Sequence, residues 1–289
     1  FSTGVIGMDL PTNLFAKAAP SVLEALDESG WEDAARAIMT TDTVPKLCSR
    51  RIEIDGKAVT VTGMSKGSGM IRPDMATMLA YVATDAAVAS PLLQKALEKA
   101  VAPSFNAITV DGDTSTNDAC VLMASGASGV MIEENDFKRF TNTVTEVCME
   151  LARAIVRDGE GATKLVEIRV TAAGSVEEAR QVAYTIAHSP LVKTALFASD
   201  PNWGRILAAV GRAGLADLDI DAIRIWLDDV SIVSDGGRDP AYTEEDGQRG
   251  MDKSEFVIHV DLARGEAETT VLTCDLSFDY VKINAEYRT

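Results

Sequence analysis

Apolar residues recur at helical spacing over residues 12 to 39, where Leu14, Ala18, Val22, Leu23 and Leu26 fall on one face. Arg51 to Thr62 alternates instead, in two short runs, RIEI and KAVTVTG, around Asp55-Gly56. That dipeptide tolerates the positive φ angles of a tight turn and predicts a hairpin. A glycine-rich stretch, GMSKGSGM, follows, then TMLAYVATDAAV, whose small and β-branched residues predict a buried strand. Pro91 to Val101 is periodic as a helix. Phe105 to Val110 predicts a strand, the polar DGDTSTND a loop, and Glu134 to Val156 one long helix.

DGEGATK, residues 158 to 164, reads as a loop that ends one unit, and the texture changes after it. LVEIRVTAAG predicts a strand, and SVEEARQVAYTIAHS a helix opened by a Ser-x-x-Glu capping box. Two hairpin-like pairs are expected: IRIWL and VSIV around Asp228-Asp229, and EFVIHVDL and ETTVLTCDL around Ala263 to Glu268. The run DGGRDPAYTEEDGQ reads as a surface loop. The expectation is therefore a layered α/β (α+β) protein of two domains, residues 1–165 and 166–289. The first residues, FSTGVIG, open in mid-strand, so part of the first domain is expected to lie ahead of residue 1.

Composition narrows the function classes. The chain has 289 residues and a formal net charge of −17. Such an acidic surface repels phosphate backbones and anionic lipid, so neither nucleic acid nor membrane is an expected partner. No apolar run reaches the length of a membrane span, and the first residues lack a signal-peptide pattern. Cys48, Cys120, Cys148 and Cys274 form no CxxC pair and sit among apolar neighbours, which predicts buried free thiols in a reducing cytoplasm. Two histidines, His188 and His259, exclude a histidine-rich metal site; His259, in FVIHVDL, is expected on a strand. No metal is expected.

Three motifs invite chemistry. GMSKGSGM fails the phosphate-loop pattern because its lysine precedes the glycine. In DGDTSTND, Asp111, Asp113 and Ser115 match the first calcium-loop spacings, but Thr116 stands where glycine is needed and Leu122 where a bidentate carboxylate is needed; an Asx-turn loop is the better reading. Around Thr77, in KGSGMIRPDMATMLAYVATD, Gly67 and Gly69 free the backbone, Pro73 fixes it and small Ala76 leaves its carbonyl open. Those features suit attack by the Thr77 hydroxyl on the preceding carbonyl.

STGVIG, MTTDT, KGSGMI-x-PDMATML, FNAITVDGDTSTND, DGEGATKL, SPLVKTA, DPNWGRI and the terminal NAEYRT occur in this order over the whole length of the chain. Together they resemble the ArgJ family, the glutamate N-acetyltransferase/ornithine acetyltransferases. The resemblance implies the α-β-β-α sandwich of the DmpA/ArgJ type, with a smaller C-terminal α+β domain whose tail returns to the active site. It implies self-cleavage between Ala76 and Thr77 and a nucleophilic Thr77 with its new α-amine as base. Thr3 and Gly4 match the oxyanion hole. Thr43, Lys66, Thr77, Glu160, Asn284 and Thr289 match the substrate-binding positions, and Glu160 is also placed as a proton relay.

The implied reaction is ping-pong transfer of acetyl from N2-acetylornithine to glutamate through an acetyl-Thr77 intermediate. It needs no cofactor, with acetyl-CoA left open as a co-substrate. The α and β fragments would assemble as an α2β2 heterotetramer. A self-cleaving amidohydrolase or aminopeptidase of the same superfamily is the alternative; a non-catalytic binding protein stands further off. Arg72 departs from the uncharged residue expected in the GMI-x-P segment.

Overall fold

The computed structural model describes residues 1, 3–72 and 78–287. The first strands are β1 (Lys46–Ile54) and β2 (Lys57–Lys66), joined by Asp55 and Gly56 at φ 50° and 73°, the paired positive values of the expected hairpin turn. β3 (Leu79–Thr84) lies antiparallel to β2, with Lys66 opposite Leu79. Helix α3 (Ser90–Val101) carries the chain across to β4 (Ala119–Ala124), which runs parallel to β3 and closes a four-stranded sheet in the order β1-β2-β3-β4. β4 was not expected from the sequence, because ACVLMA has no alternation. The long α4 (Glu134–Arg157) turns Phe140, Val144, Val147, Leu151 and Ile155 into the core over β1 and β2 and against α3.

The second sheet has the order β10-β5-β9-β6-β7-β8. β5 (Leu165–Ala173) is an interior strand and leads into α5 (Val176–Ala187), whose N-cap Ser175 accepts the Glu178 N–H as the capping pattern required. α6 (Pro190–Phe197) and α7 (Trp203–Gly211) pack beside it. β6 (Arg224–Leu227) and β7 (Val230–Ser234) form the expected hairpin about Asp228, and β8 is the pair Gly237–Arg238. α8 (Glu244–Met251), β9 (Glu255–Asp261), β10 (Ala267–Cys274) and α9 (Phe278–Glu286) complete the chain. The layered α/β class expected from the sequence is present. Two apolar cores meet at adjacent residues of β5: Leu165 packs with residues 48–156 and Cys274, whereas Val166 packs with residues 168–271.

Four local expectations are corrected. Residues 12–39 form α1 (Thr12–Glu24) and α2 (Trp31–Ala37), separated by a turn in which Asp27 accepts the Ser29 and Gly30 N–H groups. The apolar face of α1 is exposed, Leu23 by 67%, since periodicity defines a face without supplying its partner. Phe105–Ala107 is a 3-10 turn, and Ile108 makes a single bridge to Leu272; Phe105 anchors the core rather than a ladder. β9 and β10 do not pair with each other, because β5 lies between them. Their connection crosses the end of β5, where the Ala172 carbonyl accepts both Arg264 and Gly265 N–H groups at 2.7 and 2.9 Å. Finally, the run from Asp235 to Gln248 contains β8 and the first turns of α8, capped by the Thr243 side chain.

His259 lies on β9, stacked on Trp226 and hydrogen-bonded to Thr171. All four cysteines are free; three are buried and Cys120 is partly so. Among the described residues no helix is long and apolar enough to cross a membrane.

Candidate active site

The end of β2 and the turn after it build one wall of a cavity of about 220 Å³. Lys66 sits there with 1% of its surface exposed. Burial drives its ammonium below the usual lysine range, against the opposing pull of the Asp42 and Asp118 carboxylates. The following turn adopts angles that few side chains accept: Gly67 has φ 151° and Met70 φ 58°. Asp111 holds that turn by accepting Met70 N–H at 2.7 Å and Ile71 N–H at 3.1 Å. Burial still raises the Asp111 carboxyl, so these N–H groups only partly compensate the lost water.

Glu160 forms the facing wall. It is 8% exposed, not a solvated loop charge. Its N–H donates to Ser68 O at 2.8 Å, and its Oε2 accepts from Asn284 Nδ2 at 2.7 Å. Gly69 leaves the room this carboxylate occupies, as a Cβ there would stand 2.5 Å from Glu160 Oε2. Gly161, at φ 68°, does the same for α9: a Cβ would stand 2.5 Å from Tyr280 N. The helix is fixed there by Ser277, whose hydroxyl donates to Gly161 O at 2.6 Å while capping Tyr280 N–H. Thus DGEG and the terminal NAEYRT are registered on each other by contacts that two glycines permit.

A buried ionic network sits behind the Lys66 wall. Lys46 Nζ donates to Asp42 Oδ1 at 2.6 Å and Asp158 Oδ2 at 2.7 Å, with all three side chains at most 8% exposed. Asp42 also accepts Gly67 N–H at 2.8 Å and Thr40 N–H at 3.1 Å. Burial pushes the Asp42 carboxyl up, but Lys46 and those N–H groups outweigh it and leave it below the ordinary aspartate value. Asp158 accepts the Thr43 N–H and hydroxyl, and its carbonyl accepts from Ser68 Oγ at 2.7 Å.

Five of the residues expected at the site therefore meet at one cavity: Thr3 and Gly4 from the first segment, Lys66, Glu160, and Asn284 from α9. Thr43 does not line it; its hydroxyl is committed to Asp158, so its place is beside the wall rather than on it. Ala76, Thr77 and Thr289 lie outside the described residues. Reading by motif missed Thr40, Thr41, Ser115, Thr116, Asn117 and Tyr287, which also line the cavity. The loop DGDTSTND carried the available signal, since its abundance of short polar side chains was assigned to turns alone. Among the described residues no cluster of potential ligands is arranged for a metal ion.

A larger groove of about 900 Å³ runs between α4, β10 and α5. None of the expected site residues lines it, so size does not locate the chemistry.

The fold and this cavity define a layered α/β protein whose small polar pocket presents one buried ammonium and one buried carboxylate. The family model described as the ArgJ family matches residues 1–289. The arginine biosynthesis bifunctional protein ArgJ of Methylococcus capsulatus is 62% identical over 292 residues, covering 100% of this chain and 72% of that protein. Its counterpart in Pseudomonas fluorescens is 54% identical with the same coverage. The crystal structure of the arginine biosynthesis bifunctional protein from Bacillus halodurans superposes with a TM-score of 0.67 at 39% identity, covering 72% of this chain and 98% of that one. The chain belongs to the ArgJ family.

Proposed function

We propose that the chain is the acetyltransferase of arginine biosynthesis that moves acetyl from N2-acetylornithine to glutamate. The observation that carries this reading is the meeting of Lys66 and Glu160, both buried, in one cavity beside Thr3 and Gly4. Either substrate brings at least one carboxylate and one ammonium, and a buried charge is stable only when paired. Lys66 suits the carboxylate and Glu160 the ammonium. Asn284 holds the Glu160 carboxylate from α9, so the tail supplies the support for one half of substrate recognition.

In this reading the chain cuts itself between Ala76 and Thr77, and the freed Thr77 is the nucleophile. Its α-amine, with an ordinary pKa of about 7.7–8.0, accepts the hydroxyl proton far more readily than a lysine at about 10.4. The hydroxyl attacks the acetyl carbonyl of N2-acetylornithine. The oxyanion is met by the Thr3 hydroxyl and the Gly4 N–H; removing one such donor costs about 3 kcal/mol in the transition state. Ornithine leaves with the returned proton, and the glutamate amine takes the acetyl group by the reverse steps. Glu160 is suited to relay protons at the same wall. Acetyl-CoA can serve as an alternative donor, no bound cofactor is needed, and the fragments assemble as α2β2 in the cytoplasm. Two domains, 1–165 and 166–289, complete this picture, and Thr289 joins the substrate site from the tail.

The test is Thr77→Ala. The parent chain is expected to give two bands on a denaturing gel, broken at Ala76-Thr77, and to transfer acetyl to glutamate; the variant should give one band and no transfer. An uncut variant that still transfers acetyl sinks the nucleophile assignment. Release of free acetate in place of acetylglutamate identifies a hydrolase instead.

A further inference from the structure

Asp118 closes the DGDTSTND loop one residue before β4. Its Oδ1 accepts the Met78 N–H at 2.8 Å, and the Met78 carbonyl in turn accepts the Ala119 N–H at 3.1 Å. The parallel pairing of β3 with β4 thus starts from a carboxylate. Met78 is the residue that follows Thr77 in the chain. The second oxygen, Oδ2, is buried and has no hydrogen-bond partner among the described residues.

A buried carboxylate oxygen without a donor is costly, and an amide in its place could accept the Met78 N–H equally well. Holding the strand therefore does not account for an acid at this position. Lys66, at the end of β2, is the charged side chain that acts on it. Lys66 pairs with Leu79, and Leu79 with Ala119, the residue after Asp118; the Asp42 carboxylate and the Lys46 ammonium also act on the lysine. Burial raises the Asp118 carboxyl to about 7, against the Met78 N–H and Lys66. A carboxyl so placed changes charge near neutral pH while remaining attached to the chain next to the proposed nucleophile.

We propose that Asp118 is a positioning residue for the chemistry at Thr77: one oxygen pins the chain at Met78, and the other, left without a donor, sets the charge beside Lys66. This rests on the reading of Thr77 as a self-cleaving nucleophile. Ionised Asp118 keeps Lys66 an ammonium and draws the end of β2 toward the head of β3. Protonated Asp118 leaves Lys66 with Asp42 alone.

Self-cleavage isolates this effect, because in the uncut chain residue 77 has no free amine to titrate. The full chain is synthesised in a cell-free extract, shifted to buffers from pH 5.5 to 8.5, and followed by denaturing gel. The parent chain is expected to cut at least fivefold faster at pH 8 than at pH 6. Asp118→Asn, which keeps an acceptor for Met78, should cut roughly tenfold more slowly and lose most of that pH dependence. An Asp118→Asn chain with the parental pH limb overturns the proposal.

Should that variant not cut at all, Asp118→Glu decides. Recovery of the pH limb supports the role, while a folded, inactive glutamate variant overturns it. Loss of folding in both variants makes Asp118 purely structural and overturns it too. A parent chain that is never cut removes the Thr77 reading instead, so the two failures are distinguishable.

Discussion

Lys46→Met tests the ionic network behind the pocket. Methionine keeps most of the volume and removes the charge. Lys46 is the direct partner of Asp42 and Asp158, at 2.6 and 2.7 Å, and its side chain is fully buried. Removing one member of a buried ion pair costs about 3–5 kcal/mol, because the partners stay buried without compensation. Here Asp42 retains two backbone N–H donors and the influence of Lys66, and Asp158 retains Thr43. The lower end of that range is therefore expected, about 3 kcal/mol, which would lower a urea midpoint by roughly 1 M.

The pH dependence gives the argument its sign. In the parent protein the Asp42 carboxyl is depressed on folding, so it adds stability above its unfolded value of 3.8, lost as pH falls through the folded value. Without Lys46, burial acts with less opposition and raises that carboxyl. The variant then gains stability as pH falls from 7 toward the ordinary aspartate range. The gap between parent and variant should be largest near pH 7 and shrink by pH 4.5. Urea titrations at several pH values, with fluorescence and circular dichroism read together, measure it. A gap below 1 kcal/mol at pH 7, or one that widens on acidification, would refute the reasoning. Adding Asp42→Asn to Lys46→Met should recover part of the loss, since it removes one of the stranded charges.

Gly161→Ala should lower stability by about 2 kcal/mol or more, since it combines a left-handed backbone with a collision at Tyr280 N; a thermal melt checks it. Gly69→Ala places a methyl group in the space of the Glu160 carboxylate, so KM for the amino-acid substrates should rise tenfold or more while the melting point falls little. His188 is held down to about 4, first by burial and then by Arg72 and Lys193, and is therefore neutral in the folded chain at pH 7. Its folded value lies below the unfolded 6.5, so its contribution is complete above about 6.5 and lost as pH falls toward 4. His188→Gln should flatten the stability profile in that window, and parallel profiles for the two proteins would count against this.

The strands and helices that could be read from sequence are those whose reason for forming is local. Asp55-Gly56 dictates its hairpin by backbone angle alone, and Ser175 with Glu178 dictates the start of α5. Elements defined by a distant partner could not be read this way. ACVLMA becomes β4 only because Met78 and β3 stand beside it, and EFVIHVDL pairs with β5 rather than with the next apolar run because the Ala172 carbonyl captures the connection between them.

The site divides along the same line. Lys66, Glu160 and Asn284 were found because their motifs resembled those of a family, not because 1% exposure or a contact between residues 160 and 284 is written in the spacing. Asp42, Asp118 and Asp158 stand out in no way among the 44 acidic residues of the sequence, Lys46 is one basic residue among 27, and Asp111 draws attention only through a calcium-loop spacing that fails. Folding separates them from the rest by burial, where each charge must be met by a neighbouring cation or N–H group. The acids that organise this pocket are thus distinguished by what the fold withholds from them, water, and that property belongs to no residue by itself.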